Sequence, residues 1–316
     1  MPVNVGFLLA TNRSDWAGYL AQFKHKLKSL NPNSKAKIFP KKGAGGEWAD
    51  VLQAATDLAN DTQIKVIVTA GTQGALACKQ ATQANQKPFV YASIGDPALT
   101  GLTPQGNFTG GSNGQVTYVP QRVTHMTNNA IFVDKFAVVG NYNNQPVKAA
   151  MDKAVQELTN KGKTVLPVAE TTLTPADDIE TFIEGLQAKG VKSLYCCSDL
   201  WLTVNSTELN VEAHQAGMKT MWEIEDQRLV HRADDACGVS FDDMFDQAAV
   251  YVDKILRGTP IGNLPLYQPP LSHTHLLKKR DNKDAPSRPK KQAQAKRRST
   301  AAKKTAAKKK KARQRR

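Results

Sequence analysis

Residues able to make polar chemistry cluster at a repeated kind of position, just after short apolar runs. Thr11 and Asn12 follow the first such run, Gly71 and Thr72 the third, and Ser93, Gly95 and Asp96 the fourth. Asn141, Tyr142, Ser198, Asp199 and Glu223 occupy equivalent places further on, with Glu225 two residues beyond. Together they offer backbone NH donors, hydroxyls, carboxylates and an aromatic face, which is a set for holding a small polar molecule. Gly71-Thr72 opens an amphipathic stretch, so its free NH groups and the Thr72 hydroxyl either receive a carboxylate or simply cap a helix. Asp96 and Asp199 suit a ligand ammonium, although an Asp before Pro97 is also an ordinary turn residue. Tyr142 and Trp201 are aromatic candidates for a pocket wall, and Trp201 fits a helix core equally well.

Catalytic and cofactor chemistry lacks its usual signatures. Asp96, Asp199 and Glu223 form no paired acid–base constellation in the sequence. No GxGxxG follows an apolar run, and Gly43-Ala-Gly-Gly46 lacks the spacing and Lys-Ser/Thr of a phosphate loop. His273-Thr-His275 has no carboxylate or thiol neighbour to complete a metal site. The four cysteines, Cys78, Cys196, Cys197 and Cys237, show no metal-binding spacing and read as small core residues. The expectation is a binding protein, not an enzyme, with no cofactor and no metal.

The elements that must carry these residues alternate regularly. Apolar runs at 3–9, 36–39, 66–69, 89–93, 136–140, 164–168, 193–197, 219–222 and 238–240 read as strands. Amphipathic stretches at 16–30, 47–59, 73–83, 120–131, 146–161, 176–189, 203–216 and 243–257 read as helices between them. Such alternation predicts an α/β fold of two doubly wound, Rossmann-like parallel sheets. Ligands on such sheets bind beyond the carboxyl ends of the strands, where the candidate residues stand. The Gly-rich stretch 106–114 replaces an expected helix and marks a first crossing between lobes. Crossings near 223–226 and 264–268 complete a three-strand hinge. The division follows: 1–110 with 226–262 as the first lobe, 111–225 with 263–277 as the second, and 278–316 as a tail.

Charge divides the chain in the same way. Residues 278–316 hold 19 Lys+Arg and 2 Asp+Glu, whereas the preceding body holds 24 and 26. A Lys/Arg/Ala-rich segment cannot bury enough apolar surface to offset its chain entropy, so disorder is expected there. Its basic residues could displace counterions from phosphate and tether the body weakly to nucleic acid or another acidic surface. No run of about 18 apolar residues exists to span a membrane.

The order of several segments carries a resemblance. Val68-Thr-Ala-Gly-Thr-Gln-Gly-Ala-Leu-Ala-Cys-Lys-Gln-Ala-Thr82, Lys87-Pro-Phe-Val-Tyr-Ala-Ser-Ile-Gly-Asp-Pro97 and Gly106-Asn-Phe-Thr-Gly-Gly-Ser-Asn113 resemble the ABC transporter substrate-binding family of type I periplasmic-binding-protein fold. Ser240-Phe-Asp242, Val252-Asp-Lys-Ile-Leu-Arg-Gly258 and Leu264-Pro-Leu-Tyr-Gln268 are similar to its closing helix and hinge. The resemblance implies a monomer that closes two lobes over a small, amino-acid-like ligand and serves an ABC permease. It also implies a periplasmic location. Met1-Pro2 runs straight into Val5-Gly-Phe-Leu-Leu-Ala10 without an export leader, so the chain as written reads as cytoplasmic. In that compartment the alternative expectation is a ligand sensor of the same fold tethered through its tail. The basic tail stands where the family usually has a last strand and helix, leaving the second lobe incompletely capped or closed by 271–277.

Overall fold

A computed structural model describes residues 4–10, 16–30, 37–42, 47–133, 135–174, 176–224 and 232–274. Thr11, Asn12, Glu225 and the tail 278–316 lie outside them.

The first sheet takes its strands from buried apolar runs: β1 (Asn4–Leu9), β2 (Lys37–Lys42), β3 (Ile64–Thr69), β4 (Phe89–Ile94) and β5 (Phe108–Ser112). They are parallel in the order β2-β1-β3-β4-β5. Near-continuous burial along β1, β3 and β4 is what a sheet covered on both faces demands. One face carries α2 (Trp48–Asn60) and α3 (Gly71–Ala81), whose small buried residues pack on Leu8, Ile67 and Phe89. The other carries α1 (Trp16–Leu30), with Phe7, Tyr19 and Phe23 in its core.

The second sheet contains β6 (Lys135–Val139), β7 (Thr164–Val165), β8 (Val191–Cys196), β9 (Lys219–Ile224), β10 (Asp235–Val239) and β11 (Ser272–Thr274). Its order is β11-β10-β9-β8-β6-β7, all parallel except the edge strand β11. Helices α5 (Val119–Asn128) and α6 (Gln145–Asn160) cover one face, and α7 (Ile179–Ala188) and α9 (Ser206–Gln215) the other. Short α4 (Pro97–Thr100) and α8 (Leu200–Val204) follow β4 and β8 directly. The two-lobed, doubly wound α/β architecture expected from the alternation is the one observed.

The division into lobes needs three corrections. The Gly-rich stretch enters the first sheet as β5 before it crosses. A Cβ on Gly110 would lie 2.0 Å from the Tyr91 carbonyl oxygen, so glycine is what lets β5 approach β4. Residues 226–262 do not all belong to the first lobe, because β10 pairs with β9 in the second sheet. The second crossing therefore falls at Ser240, which caps α10 (Phe241–Leu256), not at 223–226. Phe241 and Phe245 of α10 return to the first lobe, with the Phe245 ring 4.9 Å from Tyr19 and 6.2 Å from Phe7. The stretch after α10 also stays with the first lobe before crossing. Leu264 lies in that lobe's core, and Tyr267 exchanges backbone hydrogen bonds of 2.8–2.9 Å with Ser112 and Gly110. Only then does the chain reach β11, within the segment expected to close the second lobe.

Candidate functional site

The carboxyl ends of β3 and β4 are joined by a side chain. The Thr72 hydroxyl accepts a hydrogen bond from the Gly95 NH at 3.2 Å, fixing the turn that opens α3 against the turn that opens α4. Gly71, the first residue of α3, has φ +77°, a left-handed conformation that disfavours any side chain, and an added Cβ would meet nothing within 4 Å. Ala70, at the helix cap, supplies no side-chain acceptor. The positive end of α3 therefore opens without a cap of its own.

The other two helix starts are built differently. Asp96 Oδ1 accepts from the Ala98 and Leu99 NH groups at 2.9 and 3.0 Å, and Asp199 Oδ1 does the same for Trp201 and Leu202 at 2.9 and 3.1 Å. Each aspartate thus spends one oxygen on capping. The second oxygen of buried Asp199 accepts from Asn144 Nδ2 at 3.2 Å, which ties the start of α8 to the start of α6.

The remaining predicted residues divide. Ser93 is buried within β4. Asn141 uses its side-chain Oδ1 to accept from the Asn143 NH at 3.1 Å, a local turn. The Tyr142 hydroxyl bonds Asp152 at 3.0 Å and also Lys148, so it lies along the side of α6. Trp201 packs partly buried against the second lobe's core.

Glu223 is 2 % exposed, and protein groups surround its carboxylate. Tyr195 OH donates to Oε1 at 2.8 Å, while the Ser198 NH and Gln115 Nε2 donate to Oε2 at 2.7 and 3.3 Å. Burial, followed by the Glu223 charge, pushes the Tyr195 hydroxyl well above its ordinary pKa, so it stays a donor. Glu223 thereby holds the Ser198 turn in place rather than pointing an open carboxylate at a guest.

Sequence reasoning missed the groups that knit these turns together. Gln115 donates from Nε2 to the Ser198 carbonyl at 2.8 Å, and its backbone NH donates to the Gly95 carbonyl at 3.2 Å, so it touches the candidate turns of both lobes. Arg122 Nη1 lies 3.7 Å from Glu223 Oε1, with both side chains buried. A signal for Arg122 did exist: it falls on the buried stripe Val119, Arg122, Val123, Met126 of α5, where an unpartnered guanidinium would be prohibitive. Gln115 carries no comparable signal, since a polar residue in a Gly-rich crossing looks like any loop residue.

Two surface depressions lie away from these strand ends. One of about 720 Å³ runs along α5 beside His125 and Asn129, and one of about 510 Å³ lies on α1 beside His25 and Asp246.

Two sheets whose strand-end turns meet across a hinge define a two-lobed α/β binding protein. The chain matches the ABC transporter substrate binding protein family over residues 22–277, and it belongs to that family. A search of the curated proteins finds no match. Among solved structures, a conserved domain protein from Vibrio cholerae O1 biovar El Tor str. N16961 aligns with TM-score 0.73 at 20 % identity, covering 87 % of this chain and 92 % of that one. The ABC domain from Streptococcus pneumonia in complex with L-Trp gives 0.71 at 16 % identity, covering 85 % and 89 %. A substrate-binding protein from Desulfitobacterium hafniense in complex with Leu gives 0.57 at 11 % identity, covering 83 % and 85 %. At these identities the likeness is one of fold.

Proposed function

We propose that this substrate-binding protein captures a small, amino-acid-like ligand between its lobes and presents it to an ABC permease. The observation that supports this most directly is the amino end of α3. It has no side-chain cap, a left-handed Gly71 with open space before it, and a Thr72 hydroxyl held by Gly95. Backbone NH groups and a helix dipole at such an end favour a carboxylate. Asp199, whose Oδ1 caps its helix while Oδ2 accepts a single bond from Asn144, and Ser198 beside it are the second lobe's candidates for the ammonium. Asp96 borders the same opening from the first lobe. L-Trp and Leu in two structural relatives agree with this class.

Ligand contacts contributed by both lobes stabilise the closed arrangement only to the extent that they are absent from the open one. Binding is the whole task in this scheme, and no step of it breaks a covalent bond. The test is a thermal-shift series of the full chain with L-tryptophan, L-leucine, other amino acids, purines and short peptides. At roughly a hundredfold excess over Kd a true ligand adds about 2.7 kcal/mol and raises Tm by several degrees. Stabilisation by purines alone would redirect the ligand class, and a flat response across the whole panel would remove the proposal.

A further inference from the structure

We infer that Arg122 is a positioning residue that ties the second-lobe ends of all three crossings into one rigid node, so that they move together when the lobes open and close. The inference rests on the closure reading above. Arg122 is 1 % exposed, and its guanidinium is spent almost entirely on backbone carbonyls. For the first crossing, Nη1 donates to Gln115 O at 2.9 Å and Gly114 O at 3.4 Å, and Nη2 to Asn113 O at 3.2 Å. For the second, Nε donates to Cys237 O at 3.0 Å, three residues before the chain leaves at Ser240. Nη2 also donates to Glu223 O at 3.4 Å on β9, the strand that pairs with β10. For the third, the guanidinium lies 5.8 Å over the Tyr118 ring, and the Tyr118 hydroxyl donates to Pro269 O at 2.8 Å.

Placing a cation in a protein interior is costly, and a helix face otherwise lined by Val119, Val123 and Met126 has no packing need for one. What the planar five-donor fork provides is convergence, because it can address carbonyls of separate segments in fixed directions, which an ammonium cannot. With these carbonyls held at one centre, the crossings cannot rotate independently on the second-lobe side. Bending is then confined to the few residues between the node and the first sheet. The Glu223 carboxylate at 3.7 Å extends the node to Ser198 and Gln115, so the hinge and the ligand-side turn share one support.

The experiment uses the full chain carrying Asn60→Cys on α2 and Glu184→Cys on α7, both exposed, one on each lobe. All four native cysteines are buried, so spin labels go to the introduced pair. Interlobe distance distributions are recorded without ligand for the wild type, Arg122→Met, Arg122→Lys and Tyr118→Phe. The expected result is narrow populations in the wild type and one broad distribution in Arg122→Met, in a protein that still melts cooperatively. Arg122→Lys should stay broad, since charge without the fork does not restore convergence. Wild-type widths in folded Arg122→Met, or full recovery with lysine, overturn the inference. Should Arg122→Met fail to fold, Tyr118→Phe decides: broadening supports the node, and an unchanged width overturns it. Adding L-tryptophan or L-leucine to the wild type tests the ligand reading separately, since a failure to shift the distances there leaves the ligand-free widths untouched.

Discussion

Gly95 of the first lobe and Pro146 of the second are in such close approach that a Cβ on Gly95 would stand 3.1 Å from the Pro146 Cβ and 2.6 Å from Gln115 Oε1. Gly95 has an ordinary backbone conformation, so its lack of a side chain serves the space between lobes rather than the turn.

Gly95→Ala therefore acts on closure. The closed arrangement loses room for one methyl while the first lobe keeps its fold. Ligand affinity should fall about tenfold, corresponding to ~1.4 kcal/mol, with Tm of the ligand-free chain nearly unchanged. Calorimetry paired with a melting curve checks both halves, and an unaltered Kd would show that the contact is unimportant for binding.

Thr72→Val keeps the shape and removes the acceptor for the Gly95 NH. Stability should drop by about 1 kcal/mol through that bond. Affinity for an amino acid should weaken more than affinity for the matching amine without a carboxylate. Equal losses for the two compounds would argue against a carboxylate at α3.

Asp199→Ser separates capping from ligand contact. Serine can still accept from the Trp201 and Leu202 NH groups, so stability should change by less than about 1 kcal/mol. The carboxylate charge is gone, however, and affinity for a ligand ammonium should fall clearly. A ligand bound as tightly as before would leave Asp199 with its helix and with Asn144 alone.

Acid sensitivity should centre on the start of β10. Asp235 is buried, which pushes its carboxyl up, but bonds at 2.8 Å from both His125 and Asn129 outweigh this and hold it below its ordinary pKa. Asp234 is likewise lowered against its burial by His214, Thr220 and Lys219. A depressed folded-state value means that this stability is present above the unfolded value of about 4 and is lost as pH falls through the folded one. Asp235→Asn should cost about 2 kcal/mol at neutral pH and flatten the acid side of a stability–pH curve. A variant curve parallel to wild type at low pH would be the contrary result.

The tail prediction concerns charge alone. Deleting residues 278–316, which carry 19 Lys+Arg against 2 Asp+Glu, should abolish salt-sensitive retention on duplex DNA and leave ligand affinity intact. Identical elution of the two chains would remove the tether reading.

Much of the scaffold was legible because its signals are local. Helix α1 begins and ends where the amphipathic pattern does, and the apolar runs of β1, β3, β4 and β8 are buried strands as expected. Glycines misled in one place, where Gly110 and Gly111 read as a break although close approach to β4 is what requires them. Chain order misled in another, since β10 belongs with β9 while α10, immediately after it, packs on the first sheet.

Periodicity and composition, then, determined the doubly wound class, the neutral body and basic end, and the strand-end positions that supply polar groups. Tertiary structure alone decided which of those groups are already engaged. Asp96 and Asp199 cap their own helices, Glu223 faces Tyr195, Ser198 and Arg122, and Tyr142 lies against α6. The reason is physical: a side chain's donors and acceptors are satisfied by whatever the fold brings within about 3 Å, and although the two aspartate caps are local, Tyr195, Ser198 and Arg122 stand tens of residues from Glu223 in the chain.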